Sequence, residues 1–179
     1  VWLAHVEAVL RDPESERPAL ELAALLGLRV DASEWRLACE LAGFVLPNGL
    51  VDRMLASRLV FLDEEPGYEG APSFRFAHGM LRECLERSAV ERGIAETLEA
   101  AIADSLLPRF ETGEVDVAER LAHHLRRAGR LAEALEPLRA CAELLVARGD
   151  EAADAAAGSG RPPPRCRRAT LRSPATATS

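Results

Sequence analysis

The stretch FRFAHGMLRECLERS, residues 74–88, changes its apolar period in the middle, and this change decides how the fold is interpreted. In its first residues, phenylalanine alternates with polar or small neighbours, as in a half-buried strand. From His78 onward, Leu81 and Leu85 recur at helical spacing. The pattern therefore predicts a strand that runs directly into a helix, with His78 at the junction.

His78 is the candidate functional residue that this junction raises. The start of a helix presents unpaired backbone N–H groups and a partial positive charge, which together favour an anion. A histidine in this place is compatible with catalysis, with metal binding, with contact to an anionic ligand, or with a purely structural junction. The local sequence alone leaves these alternatives open.

Composition and charge exclude some function classes. The chain has 179 residues, of which 48% are hydrophobic and 28% charged, as is typical of a soluble globular protein. Its net charge of −7 is uneven, because residues 151–179 carry 5 arginines and 2 acids, whereas residues 1–150 carry 17 arginines and 27 acids. Such an acidic body argues against a general nucleic-acid or anionic-membrane surface, since neutralising phosphates takes clustered basic residues.

The cysteines and the hydropathy pattern indicate in which cellular compartment the protein is expected. The four cysteines are far apart and form no CxxC pair, so we expect reduced thiols in a cytoplasm. No apolar run reaches the roughly 18 residues needed to cross a bilayer, and the N-terminus has no signal-peptide pattern. Because Val1 opens within a helical pattern, we expect either a piece of a longer protein or an unusual start.

The first half of the chain predicts a mainly α fold with a small β-hairpin. Three short helices, the second with Asp31 as N-cap and Glu34 in the position of a capping box, precede two strands around the loop at residues 65–72. This is the order of a winged helix, with the hairpin as its wing. We therefore predict a linker helix at 1–14 and a winged-helix domain at 15–90.

The second half of the chain predicts helices only, followed by a tail. Residues 80–110 are helical with a break near Gly93, and residues 118–150 form two amphipathic helices joined around Gly129. We expect these two helices to make an antiparallel hairpin, in which Ala134, Leu138 and Cys141 pack on the preceding helix. The predicted helical region is 91–150, and residues 151–179 are predicted to be disordered from their composition.

No motif for an enzyme appears in the sequence. A chain without lysine cannot supply an ordinary phosphate-binding P-loop, and neither HExxH nor GxSxG occurs. A zinc site would require four residues distant in sequence to meet: His78, Cys84, His123 and His124. A small hydrolase is therefore the least supported class, and we expect no catalytic residues and no resident metal.

The third predicted helix raises the alternative of DNA binding, because this helix reads the major groove in many winged-helix proteins. It offers Arg53 and Arg58, but also Asp52, and the acidic wing at residues 63–69 repels phosphates. The acidic residues of this helix and of the wing therefore favour a scaffold role for the helix over DNA binding. A stand-alone winged-helix transcriptional regulator remains the alternative function.

A family resemblance adds to these observations. Residues 20–43, 50–64 and 73–85, followed by the predicted helical hairpin, resemble the region after the ATPase core in STAND-type signalling NTPases. These are multidomain bacterial regulators, some linked to serine/threonine kinase or cyclase modules. In that family a winged helix packs on the nucleotide site, and helical repeats of tetratricopeptide type follow.

The resemblance also implies roles for residues and partners. His78 matches the histidine that contacts the β-phosphate of bound ADP in relatives, whereas Gly79 stands where immune-receptor relatives have an aspartate. The resemblance implies a non-catalytic regulatory and protein-interaction segment of a signal-transduction ATPase. Its partners would be an upstream nucleotide-binding domain that holds ATP or ADP, further helical repeats and other proteins. A lone repeat hairpin would leave an apolar face around Leu135, Leu138, Leu145 and Val146 open.

Overall fold

Helix α2 (Pro13–Leu26) lies at the centre of the fold. The Asp12 side chain caps it by accepting from the N–H of Glu14 at 3.3 Å, and Pro13 occupies the first turn, where its missing N–H costs nothing. From Pro18 to Leu26 every residue is buried. Because this segment is buried on every side although it includes Glu21, the neighbouring elements surround it.

The computed structural model describes residues 2–65, 67 and 70–158 of the chain. It is mainly helical, with a small three-stranded antiparallel sheet. A 3₁₀ turn lies at Val115–Val117. The other helices and strands of the described residues are α1 (Trp2–Glu7), β1 (Arg29–Asp31), α3 (Ala32–Leu41), α4 (Leu50–Ala56), β2 (Val60–Leu62), β3 (Ser73–Phe76), α5 (Gly79–Glu91), α6 (Ala95–Glu111), α7 (Ala118–Arg127) and α8 (Leu135–Gly158).

The sheet has the order β1-β3-β2. Val30 of β1 lies opposite Phe74 of β3, and Val60 of β2 lies opposite Phe76. These four side chains are buried, and the ring of Trp35 meets the ring of Phe74 edge-on with centroids 5.4 Å apart. The predicted hairpin is confirmed. Strand β1 was not predicted, because its three residues are too few to show a period of two.

The helical core joins α2 to α3, α5 and α6. Trp35 of α3 fastens this packing, since its Nε1–H donates to the carbonyl oxygen of Ala19 in α2 at 2.8 Å. Gly93 separates α5 from α6 with φ of +69°, a conformation that glycine adopts without strain. Residues 1–142 thus form one compact unit, which includes the predicted winged-helix segment and the first part of the predicted helical region.

The predicted helical hairpin differs from the observed packing. Helix α7 packs chiefly on α6, and Ala134 is buried as expected, but Leu138 is 42% exposed and Cys141 is only partly buried. The reason is that the apolar face of α7 is already covered by α6. The prediction that Leu138 packs on α7 is therefore wrong.

The second unit comprises residues 143–179, of which the structure describes the part up to Gly158. Helix α8 extends to Gly158, so residues 151–158 are helical instead of disordered, because their alanine-rich sequence has high helix propensity. The remainder of the predicted tail, residues 159–179, lies outside the described residues.

The buried thiol of Cys39 provides a test of this core. Burial, with a smaller contribution from Glu40, raises the pKa of Cys39 to about 12, so the reactive thiolate is scarce at neutral pH. We expect Cys39 to react with a thiol reagent at pH 8 only at the rate of global unfolding, whereas the partly exposed Cys84 reacts in the native state. Mass spectrometry of labelled peptides over time distinguishes the two. Equal native labelling of both residues would contradict the packing of α3.

Candidate functional site

His78 lies at the junction of β3 and α5, where the sequence places it. Its backbone is extended, with φ of −140° and ψ of 131°, and its carbonyl oxygen accepts from the N–H of Leu81 at 3.1 Å. The imidazole is exposed and does not cap the helix. The side chain thus lies at the protein surface beside the first turn of α5, where the helix dipole favours negative charge.

Two further histidines, His123 and His124, lie on α7 and have different surroundings. His124 is buried, with its Nδ1 2.6 Å from Oε2 of Glu99, and the Nε–H of Arg127 donates to the other oxygen of the same carboxylate. His123 is exposed, with its ring edge-on to that of His124. Partial desolvation of its ring, together with the neighbouring His124, lowers the pKa of His123.

The zinc alternative gains no support from this arrangement. His124 directs Nδ1 to Glu99, and in the described part of the chain no group of three or more His, Cys, Asp or Glu is placed to hold a metal ion. The Glu99 carboxylate instead ties α7 to α6 through two partners. These contacts supply the paired donors that a buried carboxylate needs.

Of the two basic residues considered for DNA reading, Arg58 is exposed just after α4, whereas Arg53 is engaged within the protein. Arg53 of α4 donates from Nη2 to Oε1 of Glu16 at 2.6 Å and from Nε to the carbonyl oxygen of Val9 at 2.9 Å. Its side chain is 18% exposed and that of Glu16 is 7% exposed. Arg53 therefore fastens α4 to α2, which favours the scaffold interpretation of this helix.

A charged cluster around Glu34 was missed by the sequence analysis. Asp31 caps α3 as predicted, accepting from the N–H of Ser33 at 2.8 Å and of Glu34 at 3.1 Å. The Glu34 carboxylate, however, binds Arg120 of α7, with Nη1 3.0 Å from Oε2, and Arg109 of α6 at 3.5 Å. Because Glu34 has the spacing of a capping box, the sequence analysis explained it by a local contact and did not predict its long-range ion pairs.

This cluster borders a cavity of about 300 Å³, which is lined by Leu26, Arg29, Asp31, Glu34, Gly67, Arg109 and Arg120. Arg29 pairs with Asp63 at 3.4 Å, and Arg109 also binds Glu114 at 2.9 Å. The positive charges lining the cavity are thus balanced by carboxylates, and the cluster serves to join α3, α6 and α7.

A different kind of surface lies where α8 begins. Leu131, Leu135 and Leu138 are exposed by 63%, 67% and 42%, although the same segment buries Ala134 and Pro137. We call these three leucines the apolar face. Considered by itself, the second unit also exposes Leu145 and Val146. The four residues that the sequence analysis placed on an open face are therefore all exposed.

Comparisons with known proteins assign no family. The chain matches no protein-family model, and neither the curated proteins nor the solved structures give a significant match. Within the described residues, no helix combines the length and the apolar character needed to cross a membrane.

The Arg53–Glu16 pair generates a stability prediction. Arg53→Ala leaves the buried Glu16 carboxylate with the N–H of Arg11, at 2.8 Å, as its remaining donor. We expect the free energy of unfolding to fall by about 3 kcal/mol or more, the usual cost of breaking a buried pair. Urea denaturation measures it. Arg36→Ala, at an exposed position of α3, is the control and should change stability by no more than about 0.5 kcal/mol. Equal effects of the two substitutions would contradict the role of Arg53.

The pKa of Glu86 generates a pH prediction. Burial raises this pKa above 4.5, although the pairing with Arg82 opposes the shift. A raised folded-state pKa contributes stability below pH 4.5 that is lost as the pH rises through the folded value. We therefore expect Glu86→Gln to stabilise the protein at pH 7 and to have little effect at pH 4. Denaturation at both pH values, with Glu91→Gln at the exposed end of α5 as control, measures this. Destabilisation at pH 7 would show that the pairing with Arg82 outweighs burial.

Proposed function

We propose that residues 15–150 are a regulatory and protein-interaction segment of a larger bacterial STAND-type signalling ATPase, of the kind linked to kinase or cyclase modules, and carry no catalytic residues of their own. The observation that carries the interaction role is the apolar face at Leu131, Leu135 and Leu138. The family assignment rests on the resemblance of the sequence, and the arrangement of elements is compatible with it.

The order of elements supports a winged helix within this segment. Helix α2, strand β1, helices α3 and α4, and strands β2 and β3 follow one another, with β3 in the middle of the sheet. A winged helix has this order and this central strand. In the proposed parent protein, this domain packs on a nucleotide-binding domain, and the strand-to-helix junction with His78 faces the bound nucleotide.

The apolar face supports an interaction with further helices. Leu135 and Leu138 lie three residues apart on α8, so a partner helix can contact both of them, and Leu131 is exposed in the turn that leads into α8. Fully burying one leucine side chain contributes about 1.5–3 kcal/mol, which makes covering three of them a substantial driving force. We propose that helical repeats of the same type supply the partner surface.

The first test uses association of the isolated chain. Because these three leucines are exposed in the described part of the chain, we expect the purified chain to form oligomers at micromolar concentration or above. Leu138→Glu should shift sedimentation velocity profiles toward monomer, since it places a charge in the face. Val90→Glu, which alters an apolar residue 58% exposed on α5, is the matched control and should leave association unchanged. A wild-type chain that remains monomeric would contradict the interaction role.

The second test concerns His78 in the proposed parent protein. A hydrogen bond to a charged group contributes about 1.5–3 kcal/mol, so His78→Ala should weaken ADP retention by about 10- to 150-fold. The measurement is the nucleotide content of the purified parent, with His123→Ala as control. Equal retention in both variants, with folding intact, would leave His78 as a structural junction residue.

A further inference from the structure

A groove runs between α6 and the segment that leads into α8, with a volume of about 320 Å³. Its floor is apolar and includes the partly buried Leu107 and Phe110 on α6 and the buried Pro137 on α8. The groove lies within residues 103–137, so it belongs to the first compact unit alone. It is separate from the apolar face, and its role is independent of the proposed function.

The rims of the groove carry carboxylates on both sides. Asp104 and Glu111 come from α6, whereas Glu133 and Glu136 come from the segment opposite. Arg130, at the same groove, binds Glu133 with Nη2 2.6 Å from Oε2 and also binds Asp104. This guanidinium therefore balances one end of the groove.

The remaining acids give the groove its negative charge. Glu111 and Glu136 are exposed, and Glu136 pairs with Arg139, whose Nη2 lies 3.5 Å from Oε1. Arg139 is itself largely exposed, with 69% of its side chain open to solvent, so this pair is weak. An apolar floor between two carboxylates suits a ligand group that is cationic at its tip and aliphatic along its stem.

We propose that this groove binds an arginine-bearing segment of a protein partner. The aliphatic stem of the arginine lies on Phe110 and Pro137, and its guanidinium lies between Glu111 and Glu136. Arginine fits better than lysine because its planar group is weakly hydrated, stacks on aromatic rings and bonds carboxylates in a fork. Charge complementarity excludes an acidic peptide or a nucleic acid from the same position.

The test uses the full chain and labelled peptides. Fluorescence anisotropy compares a fluorescein-labelled GARLARLAG peptide with the same peptide carrying lysine or glutamine in place of arginine. We expect the arginine peptide to bind most tightly and the glutamine peptide least. The Glu111→Gln/Glu136→Gln double variant should weaken binding of the arginine peptide by about fivefold or more, the effect of losing two exposed ion pairs.

A charge-matched control separates the groove from the overall acidity of the protein. The Glu83→Gln/Glu91→Gln variant removes two exposed carboxylates of α5 and should change the affinity less than about twofold. All four substituted side chains are exposed, so folding is retained, and circular dichroism verifies it. The proposal is overturned if both double variants weaken binding equally, or if the arginine and glutamine peptides bind alike.

Discussion

Two buried carboxylates on the central helix constrain the rest of the structure. Most of helix α2 is buried, yet it carries Glu16 and Glu21, which are 5% and 0% exposed. A buried carboxylate is tolerated only when donors surround it, so each one fixes a neighbouring element. Glu16 binds Arg53 of α4, and Glu21 accepts from Ser88 Oγ–H at 2.6 Å and lies 2.7 Å from Nη1 of Arg92. These contacts determine which faces of α4 and α5 turn toward α2.

The same principle extends to the helices that come later in the chain. Glu34 of α3 accepts from both terminal nitrogens of Arg120, and Glu99 of α6 accepts from two side chains of α7. The cation in the ion pairs of Glu16, Glu21 and Glu34 is arginine, and the chain has no lysine that could take its place. Its planar fork satisfies two carboxylate oxygens at once and loses less conformational freedom for each bond. Acids on α2, α3 and α6 pair with arginines that come later in the chain. These pairs thus fix how the helices of the core are placed against one another.

Local patterns in the sequence predicted the elements better than their contacts. The strand-to-helix junction at His78, the cap at Asp31 and the hairpin are readable because each depends on neighbours within a few residues. Strand β1 is too short for a period to appear, and the pairing of Glu34 with Arg120 joins residues 86 apart in sequence. The helix pairing was predicted between sequence neighbours α7 and α8, but α7 packs chiefly on α6, because the amphipathic pattern specifies a buried face and not the partner that covers it. The candidate groove was not predicted for the same reason, since its two rims come from separate segments.

The proposed function depends on side chains that the core leaves exposed. Its central claim is that the apolar face at Leu131, Leu135 and Leu138 is an interaction surface. Amide hydrogen exchange at low and high protein concentration tests this claim most directly, because it locates the contact by residue. The account predicts that protection of residues 131–142 rises with concentration while that of α2 stays constant. Protection of residues 131–142 that does not depend on concentration, in a preparation that nevertheless associates, would contradict it.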